Sequence, residues 1–233
     1  MIHCHCAAIA VGMAILKHVS LRYPRSCRTP DGLSWIAPSG EAATIRAMRY
    51  VIVDLEATCW MQRCPPERME IIEIGAVLIP ARPHAAKVEF DSFVRPVKEP
   101  RLSAFCMGLT GIRQADVDKA SDFSTVFPRF LAWIGSKPFR LCSWGLFDLL
   151  QFKTDCRRHG MAFPAEFSSH VNLKLEFARI KGVRPCGVNR ALALSELKPE
   201  GRHHRAIDDV RNIARLAVNV ILPALKVTSP MEV

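Results

Sequence analysis

Apolar positions along this chain recur with two different periods, and the changes of period outline its elements. Tyr50-Val51-Ile52-Val53 is short, β-branched and uncharged, which predicts a buried strand. Met69 to Ile79 and Val88 to Val94 predict two more, linked by the turn-like Pro80-Ala81-Arg82-Pro83. Together the three are expected to form an antiparallel meander. Phe123, Val126, Phe127, Phe130, Leu131 and Ile134 recur at helical spacing. Arg140 to Gly145 reads as another short strand, after which Asp148 stands where a helix begins, ahead of Leu149, Leu150 and Phe152. Leu173 to Ile180 and Val188 to Leu197 predict helices whose apolar stripes pack into a core. At about 100° per residue, Ala206, Val210, Ile213 and Ala217 share one stripe of a further amphipathic helix. The pattern is that of an α/β domain. No stretch approaches the ~20 continuous apolar residues of a membrane span, so no membrane partner is expected.

The ends of the chain lack this periodicity. Arg22 to Ala43 mixes Arg, Pro, Ser and Gly, as disordered segments do. Ala7 to Leu16 is mildly apolar but has no basic segment before it, which makes a poor signal peptide. The expected organisation is therefore a disordered or over-extended segment over 1–47, a domain over 48–222 and a frayed tail over 223–233. Met48, immediately before the first strand, is the expected natural start.

Charge and cysteine content narrow the function. The net charge is +10; Lys17, Arg22, Arg25, Arg28 and Arg46 against Asp31 and Glu41 leave +3 on residues 1–48 and +7 on the rest. A basic body suits a polyanionic partner. The nine cysteines are odd in number and follow no paired framework, which fits a reducing, cytoplasmic location. Cys4 and Cys6 with His3 and His5, or Cys59 and Cys64, offer only weak zinc patterns.

Three clusters of acids stand out against this background. Asp54 and Glu56 end the first strand one residue apart, so their side chains share a face. Such a pair is repulsive unless a hard cation joins it; the plain alternative is a solvated strand end. Asp148 is either a helix-start residue favoured by the dipole or a third ligand. In the third cluster, His203-His204-Arg205-Ala206-Ile207-Asp208-Asp209, Asp209 flanks the apolar stripe and is the better ligand. Asp208 shares the solvent side with Arg211, Asn212 and Arg215. His204 precedes Asp209 by five residues; His203 has the same spacing to Asp208 and is expected to be an exposed loop histidine.

Asp54-x-Glu56, Ser143-Trp144-Gly145-x-x-Asp148 and His204-x-Ala206-x-x-Asp209 resemble the three motifs of the DnaQ-like exonuclease superfamily, in its branch with four acids and a histidine (DEDDh). The block Gly201 to Ala214, with Phe105-Cys106-x-x-Leu109-Thr110-Gly111-Ile112 and Ile71 to Val77, resembles the enhanced-RNA-interference-type exoribonucleases.

The resemblance implies an RNase H-like mixed β-sheet flanked by helices. It implies a metal-dependent 3′→5′ exonuclease releasing nucleoside 5′-monophosphates from nucleic-acid 3′ ends, with RNA favoured and DNA possible. Asp54, Glu56, Asp148 and Asp209 would hold two Mg²⁺ or Mn²⁺ ions, and His204 would take the proton of the attacking water. Ala57, Thr58, Leu109 and Thr110 would meet the terminal nucleotide. Trp144 is expected in the core, and Glu73 either near the acids or paired with an Arg. Two departures stand out: Leu146 where related sequences often carry Asp or Asn, and Met107-Gly108 in place of a more polar pair. A DNA proofreading or repair exonuclease and a catalytically silent nucleic-acid-binding module are the alternatives. No protein partner is indicated.

Overall fold

The central element of the fold is the strand that carries the first two acids. In the structure, a computed structural model, residues 48–62, 64–80 and 88–227 are described. The expectations for residues 1–47, for the turn beyond Pro80 and for the tail beyond 227 lie outside them; over 223–227 the expected frayed tail is instead helical.

Five strands form one mixed sheet: β1 (Arg49–Ala57), β2 (Ile71–Ile79), β3 (Val88–Phe93), β4 (Phe139–Ser143) and β5 (Val171–Asn172), in the order β3-β2-β1-β4-β5. The β1–β2 and β2–β3 pairs are antiparallel, as the meander requires, and β4 and β5 extend the sheet in parallel. The parallel β1–β4 pair needs a crossover, which α1 (Ala104–Thr110), α2 (Gln114–Asp118) and α3 (Phe123–Ile134) provide. The remaining helices are α4 (Phe147–Arg158), α5 (Leu173–Lys181), α6 (Val188–Leu194), α7 (Ala206–Leu216) and α8 (Leu222–Val227). The helix expected to reach Leu197 stops at Leu194, where the chain turns through Glu196 at φ 57°.

Strand β1 is apolar on both faces because both are covered. Val51, Val53 and Leu55 point into a core with Phe123, Phe127, Phe130, Phe152 and Phe167, and Ile52 points into a second core with Trp144, Phe177, Val210 and Ile213. Trp144 is buried there as expected, its Nε1 donating to the Cys186 carbonyl at 2.9 Å. The alternation that sends Ile52 toward α7 sends Asp54 and Glu56 the same way, beyond the end of the apolar packing. A register shift between Glu56 and Ala57 ends the regular ladder there.

Helix α7 can reach these acids because β2 is bare beneath it. Gly75 pairs with Asp54, and a Cβ on Gly75 would collide with the backbone of Ala206 and Ile207. The first turn of α7 therefore rests directly on the strand.

The helix has no side-chain cap of its own at Arg205. Glu73 on β2, fully buried, fills that role: its carboxylate accepts the Ala206 N–H at 3.1 Å and pairs with Arg205 at 2.9 Å. Both expected settings for Glu73 are found: it pairs with Arg205, and it stands opposite Glu56 in the β1–β2 register, where its charge acts on Asp54 and Glu56. Removing Arg205 leaves the Glu73 carboxylate buried without a cation. Arg205→Met is expected to cost about 2 kcal/mol, below the ~3–5 kcal/mol of a fully buried pair because the arginine is partly exposed. A lowered urea midpoint, largely restored in the double variant Glu73→Gln/Arg205→Met, is the check.

Candidate active site

Asp54, Glu56 and Asp209 converge: each offers a carboxylate oxygen, and these oxygens lie within 4.8 Å of one another. Glu56 and Asp209 are buried and Asp54 is partly exposed. Asp148 arrives from the first turn of α4 and is held against β1, its Oδ1 accepting the Leu55 N–H at 3.0 Å. It stands beside the three-acid group rather than within it. The helix-start and site readings of Asp148 are thus compatible: it lies in the first turn of α4, and its charge is felt by Asp54 and Glu56.

The crowding shows in the acidities. Burial pushes the Glu56 carboxyl up to about 9, with further pushes from Asp209, Glu73 and Asp148. Asp54 is also raised, by burial first and then by Asp148, Glu56, Asp209 and Glu73. Burial lifts Asp148 to about 6; hydrogen bonds from Ser143, its own backbone and Leu55, and the charge of Lys174, oppose the rise. A set of hard carboxylate oxygens this close is unfavourable alone and suits a divalent cation, which neutralises the repulsion. The residues present therefore fit a metal.

This sets a pH dependence. Glu56 and Asp148 titrate higher in the folded chain than in the unfolded one, so the folded metal-free protein holds extra protons. That contribution to stability is complete below the unfolded carboxyl range of about 4 and lost as pH climbs through about 6 and about 9. A divalent ion competes with those protons. The rise in Tm on adding Mg²⁺ is expected to grow from pH ~6 to pH ~9, at about 2–4 °C per kcal/mol, measured by thermal melts with and without EDTA.

The histidines are arranged differently from the expectation. His203 is exposed, yet its partner is Asp209: Nδ1 lies 2.9 Å from Oδ1 and 3.2 Å from Oδ2. Its spacing to Asp208 is no guide, because the turn into α7 is not helical. His204 sits at φ 63°, a left-handed conformation. From there its backbone N–H reaches Asp209 Oδ2 at 2.8 Å and its ring stacks on His203, centroids 3.9 Å apart. Burial lowers the His204 pKa and the His203 charge adds to this, against Asp209. The Asp209 bond raises that of His203.

The remaining expected residues are engaged in contacts within the fold. The Thr58 hydroxyl accepts the Glu70 N–H at 2.9 Å, and the Thr110 hydroxyl donates to the Cys106 carbonyl at 2.9 Å. Both threonines and Ala57 are buried, so the two hydroxyls are engaged within the fold; Leu109 is partly exposed. Asp208 pairs with Arg211 at 3.1 Å, as its solvent-side position predicts. Asn212, expected on that side, is instead buried: it receives the Glu200 N–H at 3.1 Å and donates to the Glu200 carbonyl at 2.7 Å, anchoring the loop that leads to the histidines.

Sequence reasoning did not find Ser143, Lys174, Gly75 or Arg205 as supports of the site. Ser143 is buried and bonded to His170 Nε2 at 2.8 Å as well as serving Asp148. Only Gly75, an isolated glycine inside a strand pattern, carried a signal that could have been used. Among the described residues, no helix is long and apolar enough to cross a membrane, and no cysteine is in a disulfide.

A family model described as Exonuclease (RNase_T) matches residues 51–217. The 3′-5′ exonuclease Snipper of Drosophila melanogaster is 31% identical over 194 residues, 74% of this chain and 69% of the fly protein. ERI1 exoribonuclease 2 of Danio rerio is 32% identical over 82% of this chain, which spans only 39% of that relative's length. Among solved structures, the nuclease domain of 3′hExo, a DEDDh family member bound to rAMP, superposes with a TM-score of 0.70 at 29% identity, covering 78% of this chain and 94% of that one. The mixed sheet flanked by helices is thus the RNase H-like arrangement of these nucleases.

Proposed function

Because this chain belongs to the exonuclease (RNase_T) family, whose DEDDh members depend on divalent metal, we propose that it is a 3′→5′ exonuclease that releases nucleoside 5′-monophosphates, with RNA preferred to DNA. The observation that carries the reading is the convergence of Asp54, Glu56 and Asp209 within 4.8 Å beside Asp148. Names given to relatives favour RNA, since several are exoribonucleases.

In this reading, Asp54, Glu56, Asp148 and Asp209 hold two ions, Mg²⁺ or Mn²⁺. When bound, these supply a water of lowered pKa and stabilise the leaving 3′ oxygen. The chain's own residues do the rest. Burial holds His204 below the ordinary histidine range, so it is neutral near pH 7 and able to accept a proton from water. Glu73 and Arg205 fix the start of α7 and hence the position of Asp209. Leu146, where related sequences often carry Asp or Asn, is exposed at the start of α4. Ala57, Thr58, Leu109 and Thr110 contribute by shape and backbone, the two threonine hydroxyls being engaged already. The domain bounds 48–222 and a cytoplasmic location remain part of this proposal.

The test is digestion of matched 3′-end RNA and DNA oligonucleotides labelled at the 5′ end, with and without EDTA. Stepwise shortening with release of 5′-monophosphates, faster on RNA and abolished by EDTA, is expected. Faster digestion of DNA would favour the proofreading-type alternative, and binding without digestion the silent module.

A further inference from the structure

With Asp209 the tandem histidines form a second ligand set; the carboxylate reading uses His204 as a base and Asp209 as a ligand, but neither imidazole as a metal ligand. His203, His204 and Asp209 each offer a ligand atom, and these atoms lie within 4.8 Å of one another. The His203 ring is 2.9 Å from Asp209, and the two imidazoles stack at 3.9 Å on the left-handed turn at His204. His203 is half-exposed, so the group opens to solvent. Two imidazoles and one carboxylate are chemically unlike the neighbouring oxygen set. Nitrogen donors favour borderline ions such as Zn²⁺, Co²⁺ or Ni²⁺ over Mg²⁺, and three protein ligands leave a fourth position open.

We propose that His203, His204 and Asp209 form a nitrogen-rich site for a borderline transition-metal ion, overlapping the carboxylate site through Asp209. Occupancy draws Asp209 away from Asp54 and Glu56 and ties up the His204 ring. On the exonuclease reading, on which this consequence rests, such an ion inhibits the Mg²⁺-supported reaction. The binding itself does not depend on that reading.

The experiment uses the full chain stripped of metal and held in excess Mg²⁺. Co²⁺ is added while its visible absorption is followed, and Zn²⁺ affinity is measured by competition with a chromophoric chelator. One ion is expected to bind per chain, with the Co²⁺ band of a low-coordinate nitrogen–oxygen site. H203A and H203N are each expected to lose more than the ~10–100-fold in affinity that removing a merely orienting partner costs. H203N retains a polar partner for Asp209 and serves if H203A folds poorly. H203C, which restores a zinc-binding side chain, is expected to recover most of the loss. No Co²⁺ band in the wild type, or unchanged Zn²⁺ affinity in both His203→Ala and His203→Asn, overturns the site, since the ion then rests on the carboxylates. Mononucleotide release with Mg²⁺ alone is scored separately. A chain that binds Co²⁺ through His203 but digests nothing keeps this site and loses the exonuclease reading. A chain that digests and yet shows no His203-dependent binding does the opposite.

Discussion

Asp54→Asn is expected to abolish metal-dependent digestion while making the metal-free protein more stable. The two effects share one cause. Asp54 is raised by burial and by four neighbouring acids, so its ionised form is unfavourable in the empty site. Asparagine keeps the shape and removes the charge. The expected gain in metal-free stability is about 0.5–2 kcal/mol, or roughly 2–4 °C in Tm per kcal/mol. The same change removes a ligand, and activity should fall by more than the ~100-fold that loss of an outer-shell partner can cost. Mg²⁺ should then raise the Tm of the variant far less than that of the wild type. Single-turnover digestion and melts with and without Mg²⁺ test both halves; a variant that loses activity together with metal-free stability would show that Asp54 supports the fold instead.

Gly75→Ala is expected to reduce activity on the order of 100-fold from a buried position beneath the start of α7. The new methyl meets the backbone of Ala206 and Ile207, which cannot swing aside as a side chain would. The start of α7 must lift from β2, carrying Asp209 and both histidines with it. A shift of about 1 Å in reacting groups can cost ~100-fold in rate. The overpacking itself should cost about 1–3 kcal/mol. A variant with weakened Mg²⁺ binding and reduced rate, but with the same far-ultraviolet circular dichroism, is the expected outcome. Unchanged Mg²⁺ affinity would sink the idea that β2 sets the depth of the site.

The two predictions differ in how far the sequence foreshadows them. Asp54 and Glu56 announce themselves, because alternation along a strand is a local rule: one residue between two acids places both on one face. Asp209 was also legible, since its angular position beside the Val210–Ile213 stripe predicts burial, which is found. Gly75 and Arg205 act through contacts between β2 and α7, elements more than a hundred residues apart; the isolated glycine signals a close backbone approach, but no local pattern names its partner. Lys174 is similar: a helix lysine of ordinary appearance whose charge bears on Asp148 only because α5 packs beside β4.

The histidines show the boundary most clearly. A shared five-residue spacing set His203 against Asp208 and His204 against Asp209. The turn through φ 63° at His204 breaks that pattern and brings both to Asp209. Thr58, Thr110 and Asn212 belong with them. The resemblance set the two threonines at the terminal nucleotide and helical geometry set Asn212 in solvent; burial turns all three polar side chains to nearby backbone groups.

Periodicity determined the α/β class, the meander and the principal helices, because apolar spacing and strand alternation are properties of neighbouring residues; the acids stood out as a set only through the resemblance of their motifs to the exonuclease superfamily. How closely α7 rests on the sheet, which carboxylates gather and which imidazole meets Asp209 were decided only in three dimensions. Those distances depend on packing and electrostatics between distant segments, and neither exists until the chain has closed on itself.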